Sequence, residues 1–350
     1  MLQLLLFSLI SVLFFSAHSE ASPFVLDRDF FTTKSEGRFV GRRLETNEDC
    51  RAQIARAVCL VDPIQPGQKP ERRECLAGSL TYSSVFENLY DQYPLPMQQM
   101  FCSLKRIFIE KKSFGTAYAG FLRDEAGKPT GVIMGIRRSV IDKSLSLSHW
   151  ASWREQLSFG ADPLSYNLSP ELPVVEAISP PGVNDLLYFV VAHEFGHFFD
   201  IANEVNKTKS CSEPANKNQP PECKMHEDGW GGISWITAQK PKLVNEFPLR
   251  TSLCFYRCNG EFLNKSSVSE LYRDLERTDF ISNYAATGPW DDFADSVAYY
   301  MIHKSLGGNY RLDTRQGQSY DAMSKLRSPL FTRKLQYLDA FFSRTDLLYP

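Results

Sequence analysis

The stretch that decides how this chain is read is VVAHEFGHFFD, Val190–Asp200. His193 and His197 stand four residues apart, and Glu194 directly follows the first of them. On an α-helix, positions i and i+4 lie one turn apart on one face, so both imidazoles can reach a single cation. Glu194 is turned roughly 100° around the axis by the 3.6-residue period. That sets it beside a metal rather than on it, where it can hold and deprotonate a water. The competing reading is a buried helix whose two histidines are satisfied core residues. Burying two imidazoles and a carboxylate on an otherwise apolar helix is costly without a partner, and a zinc ion supplies one. Asn184 is a good N-cap, Asp185 lies in the first turn, and DLLYFVVAHEFGHFFDIAN is nearly continuously apolar, as in a buried helix. Gly196 would let another element approach this helix closely.

A catalytic zinc usually has three protein ligands. A longer histidine motif would continue with glycine at position 200 and histidine at 203, but the chain has Asp200 and Asn203, which excludes that class. His149, His226 and His303 stand in no recognisable ligand pattern. The better source is NYAATGPWDDFADSVA, residues 283–298. Its proline suits the first position of a helix, and Asp291 and Asp295 then fall one turn apart on one face. Asp291 can bind zinc, and Asp295 can accept an N–H from a ligand histidine and fix its tautomer. Acids at a helix N-terminus also suit the helix dipole with no site at all.

These two segments resemble the zincin metallopeptidases whose third ligand is an acid on a later helix, the gluzincin type. The nearest likeness is to catalytic domains of the anthrax lethal factor kind. The resemblance covers about 110 residues, from HEFGHFFD to NYAATGPWDDFAD, and does not reach residues 20–170. In that family a tyrosine precedes the acidic ligand by seven residues and a further acid follows it by four; Tyr284, Asp291 and Asp295 have these separations. The resemblance implies one Zn2+ held by His193, His197 and Asp291, Glu194 as general base, and Tyr284 supporting the oxyanion or protonating the leaving group. The family usually has glutamate where this chain has Asp291 and Asp295. Aspartate is one methylene shorter, so either the second helix comes closer or Asp292 binds in place of Asp291.

The fold expected is α+β. A mainly helical, zincin-like domain with a small antiparallel sheet would span residues 113–350, with its core at 184–306. A cysteine-containing helical region over 20–112 would precede it. GTAYAGFLRD and GVIMGIRRSVI around EAGKP read as a hairpin over 114–137, whose edge could align an extended peptide. SVSELYRDLER reads as a helix, and residues 160–183, with five prolines, as connecting loop.

The N-terminus carries an apolar run from Leu4 to Phe15 followed by Ala17-His18-Ser19, a small-x-small pattern. That reads as a signal peptide over residues 1–19, hence a secreted or periplasmic protein with no stable membrane anchor after cleavage. Eight cysteines follow it, an even number that suits oxidation after export. Cys211 and Cys223 would staple a polar loop, while Cys50, Cys59, Cys75 and Cys102 could pair among themselves; Cys254 and Cys258 remain. Asn167, Asn206 and Asn264 begin glycosylation sequons. A net charge of −2 gives no electrostatic footprint for nucleic acid. The function expected is that of an exported zinc metallopeptidase acting on peptide or protein substrates. The rivals are a catalytically silent zinc-binding protein and a zinc amide or ester hydrolase acting on other substrates.

Overall fold

The computed structural model describes residues 41–44, 49–63, 73–111, 115–124, 129–212, 222–256 and 261–350. The expected signal segment at 1–19 lies outside these, as do Cys258 and the hairpin turn at 125–128. The architecture is α+β, as the sequence suggests.

Helix α1 (Cys50–Ala57) runs directly into strand β1 (Val58–Val61). Helices α2 (Ser83–Gln92) and α3 (Leu95–Ser103) follow, the second leading into β2 (Leu104–Glu110). Strands β3 (Ala117–Arg123) and β4 (Pro129–Arg137) form the expected antiparallel pair. The sheet has four strands in the order β1-β2-β4-β3, with β1–β2 and β2–β4 parallel. It therefore spans residues on both sides of position 112, and its pairing is mixed rather than purely antiparallel. VCLV and LKRIFIE were hidden because each follows a helix without a turn signal and pairs with a strand far from it in sequence. Strand β2 is central and sided: Ile107 and Ile109 join the main core, while Phe108 packs with Cys59, Val61 and Ile133 on the other face. Arg73 closes that second face, with its guanidinium 4.4 Å from the Phe108 ring centroid and 2.7 Å from Glu110. Disulfides Cys50–Cys102 and Cys59–Cys75 tie this region together, and Cys211–Cys223 closes the later loop. Cys254 is also disulfide-bonded.

Helix α4 (Leu147–Gln156) begins at a Ser146 cap. Its Ser148 and Ser152 hydroxyls bond the backbone of β5 (Val174–Ile178), taking the N–H groups of Ala177 at 2.9 Å and Val175 at 2.7 Å. Strand β5 falls within the stretch read as loop. Its pairing partner β8 (Asn309–Asp313) lies far along the chain, with β9 (Ser319–Asp321) beyond it. Strands β6 (Thr208–Cys211) and β7 (Cys223–Met225) form a small separate pair.

Helix α5 (Asp185–Asn203) is capped by Asn184, whose side chain accepts from the Leu187 N–H, and it is buried from Leu186 to Asp200. Helix α6 (Val268–Glu276) matches the SVSELYRDLER expectation, and α7 (Pro289–Leu306) opens on its proline. Helix α8 (Thr332–Phe342) completes the order. Gly196 of α5 faces Ala294 of α7, and a Cβ built on it would meet the Ala294 Cα at 2.7 Å. The glycine is what lets the two helices come this close. No helix among the described residues is long and apolar enough to cross a membrane.

Candidate metal centre

The close approach of α5 and α7 puts the expected ligands together. His193, His197 and Asp291 each offer a donor atom, and all three lie within 4.8 Å of one another. His197 Nε2 is 3.7 Å from Asp291 Oδ1. The two histidine side chains are buried, at 11% and 6% exposure, whereas the Asp291 carboxylate is 29% exposed and opens the site to solvent. Four-coordinate zinc with bonds of about 2.0–2.1 Å holds its ligands roughly 3.3 Å apart, so this cluster is slightly wider than a filled one. Two imidazoles and a carboxylate are an appropriate donor set for zinc. Gly196 allows the close packing of α5 on α7, and Asp291 of α7 lies in the cluster.

Asp291 and Asp292 separate cleanly. Asp292 is fully buried and points the other way, with both oxygens 2.7 Å from Lys334 Nζ of α8 and one 3.1 Å from Trp235 Nε1. It does not join the cluster. Instead it anchors α8 to the start of α7, with Asp279 adding a second contact to Lys334 at 3.2 Å. Replacing Lys334 with methionine is expected to strand a buried carboxylate and cost about 3–5 kcal/mol of stability, read as a lower denaturant midpoint.

Asp295 lies against His193. Its Oδ1 lies 2.8 Å from His193 Nδ1, which leaves the histidine's Nε2 for a ligand. Ser282 Oγ donates to the other oxygen at 2.5 Å, and Arg154 Nη1 donates to Oδ1 at 3.0 Å. Burial alone would raise the Asp295 carboxyl; the Arg154 guanidinium and His193 outweigh it and hold it at about 2. Burial disfavours the charged form of His193, but the hydrogen bond and charge of Asp295 raise its pKa. His197 is lowered well below the usual imidazole range by burial and by His193 beside it, so it is neutral, the form that binds metals.

Glu194 is not among the ligand atoms. It lies in the cleft beside them, and burial pushes its carboxyl up to about 7, with Asp291 adding to the rise. Asp291 is raised to about 6, also chiefly by burial. Tyr284 packs on the other side, its ring centroid 5.7 Å from that of His193. Burial and the Asp291 charge hold its phenol well above the usual range, so it remains a donor.

The cleft has further walls that the sequence did not announce. Thr116 and Ala117, at the start of β3, line it together with His193, Glu194 and Tyr256. Among the described residues, strand β3 stands last in the sheet order, beside β4. Trp150 Nε1 fixes Thr116 by a 2.8 Å bond to its hydroxyl. Arg154 carried one legible sign, a charged residue inside the aromatic helix SHWASWREQ, but no spacing rule points from it to Asp295.

Positions 200 and 203, which rule out the longer histidine motif, are structural. Asp200 takes the Asn206 N–H and Nδ2, each at 2.7 Å, and Asn203 bonds the Leu348 backbone at both its amide atoms. Asn206 also donates to the Pro289 carbonyl at 3.0 Å, so the side chain of that sequon is buried and occupied. A shallow recess on the outer face of β5-β8-β9, lined by Glu176, Arg311 and Asp313, lies apart from the cleft and includes none of the clustered ligands.

No family model, curated protein or solved structure matches the chain. What stands is a gluzincin-type cluster of His193, Glu194, His197 and Asp291, without a demonstrated match to the lethal factor fold.

Proposed function

We propose that this protein is a zinc-dependent metallopeptidase. The observation that carries the reading is the convergence of His193, His197 and Asp291 donor atoms within 4.8 Å, with Glu194 beside them in the same cleft. His193, His197 and Asp291 would hold the ion. Zinc bound there supplies Lewis acidity, polarising a carbonyl and lowering the pKa of water.

The protein's own groups divide the remaining work. Glu194 accepts a proton from the attacking water and returns it to the departing amine as the C–O bond forms and the C–N bond breaks. Tyr284 donates its hydroxyl hydrogen bond to the oxygen that gains charge. Asp295 keeps the His193 ring in one tautomer. Thr116 and Ala117 line the cleft beside Glu194, where an extended substrate would lie along the start of β3, which favours a peptide over a small ester or amide. Export belongs to the same reading, supported by the apolar leader and by the paired cysteines.

The test is a mixed peptide library incubated with the mature, zinc-loaded protein and read by mass spectrometry. Cleavage is expected, lost on treatment with a strong chelator and restored by added zinc. A library left intact under all three conditions would contradict a peptidase.

A further inference from the structure

Asp295 has no exposed surface, yet it must stay ionised to orient His193. Its Oδ1 serves two donors, His193 Nδ1 and Arg154 Nη1. Arg154 lies on α4, far from both metal-site helices in sequence, and its side chain is only 2% exposed. Its Nη2 donates to the Tyr299 hydroxyl at 3.2 Å. The ring centroids of Trp150, Phe189 and Tyr284 lie 4.8, 5.3 and 5.5 Å from its central carbon. The guanidinium is thus held by the hydrogen bonds it donates to two side chains and by packing against three rings. It also borders the cleft that contains His193 and Glu194.

We propose that Arg154 is a positioning residue of the metal centre: by holding the Asp295 carboxylate in place, it fixes the His193 ring so that Nε2 faces the ion. The inference rests on the zinc reading given above and assigns Arg154 no contact with the metal.

The sign of the effect separates this role from a simpler one. A guanidinium acting only as a nearby positive charge would repel a dication, so removing it would tighten metal binding. A guanidinium that positions does the opposite. Without it, Asp295 loses one of the two donors on Oδ1, its rotation is freed, and His193 loses a fixed partner. Loss of such supporting contacts typically weakens metal affinity about 10–100-fold. A purely structural role would lower the melting temperature and leave the affinity of the folded protein unchanged. Lysine in this position keeps the charge, but its single point donor cannot span Asp295 and Tyr299 or stack as a plane.

The experiment measures zinc affinity by chelator competition on the full mature chain, together with the visible absorption of the cobalt(II)-substituted protein. Arg154→Met is expected to bind zinc at least ~10-fold more weakly and to show an altered cobalt spectrum, with Arg154→Lys in between. Equal or tighter zinc binding by folded Arg154→Met, with the wild-type cobalt spectrum, would overturn the proposal. Should Arg154→Met fail to fold, Arg154→Lys decides: weaker binding supports the role and wild-type binding overturns it. A wild-type chain that binds no zinc sinks the metal reading itself. A wild-type chain that binds zinc as its variants do sinks only this inference.

Discussion

Glu194→Gln should leave a protein that folds, keeps its zinc and has lost most of its hydrolytic rate. The glutamate sits beside the three donor atoms and not among them, so the amide removes a base without removing a ligand. Loss of a general base typically costs roughly 10²–10⁴-fold in rate. Glutamine is nearly isosteric, and the swap takes an ionisable group out of a buried site, so the fold should tolerate it. The check is the initial rate on whatever library peptide the wild type cleaves, beside zinc content measured on the same preparation. If zinc is retained and the rate is unchanged, Glu194 has no part in catalysis. If neither protein turns over any peptide while both hold zinc, the peptidase reading fails, leaving a silent zinc-binding protein or a hydrolase of other substrates.

Zinc should also stabilise the wild type against heat and do nothing for His197→Ala. An ion that binds only the folded state adds RT ln(1 + [L]/Kd), about 2.7 kcal/mol at a hundredfold excess over Kd. For a chain of this size that is a rise of roughly 4 °C in melting temperature. His197 is lowered into its neutral form by burial and by its neighbour, so it is ready to bind without first losing a proton. Alanine removes one of three donors and leaves the site two short of a closed shell. A thermal melt with and without zinc tests this. An equal rise in both proteins would place the ion elsewhere.

The centre of this molecule was legible because its signals are local. The i, i+4 spacing of His193 and His197, the Asn184 cap and the proline opening α7 each follow from one stretch of chain. The role of Gly196 was legible as a possibility, and Ala294 shows what it makes room for. The parts that were not legible depend on contacts between distant segments. Strands β1 and β2 are short, at four and seven residues, and pair in parallel across long connections, so no turn signal exposed them. Strand β5 lay hidden between prolines because its partner is more than a hundred residues away. Choosing between Asp291 and Asp292 needed Lys334, a residue on the last helix that no motif connects to them. Arg154 was missed for the same reason, since its meaning lies in Asp295, 141 residues on.

The most direct test of this account is elemental analysis of the purified protein, equilibrated with zinc and then dialysed, beside His193→Ala and Asp291→Ala treated identically. Close to one zinc per chain in the wild type, with substantial loss in both variants, is the predicted result. Zinc absent from the wild type, or retained equally by all three, would contradict a centre built from these residues.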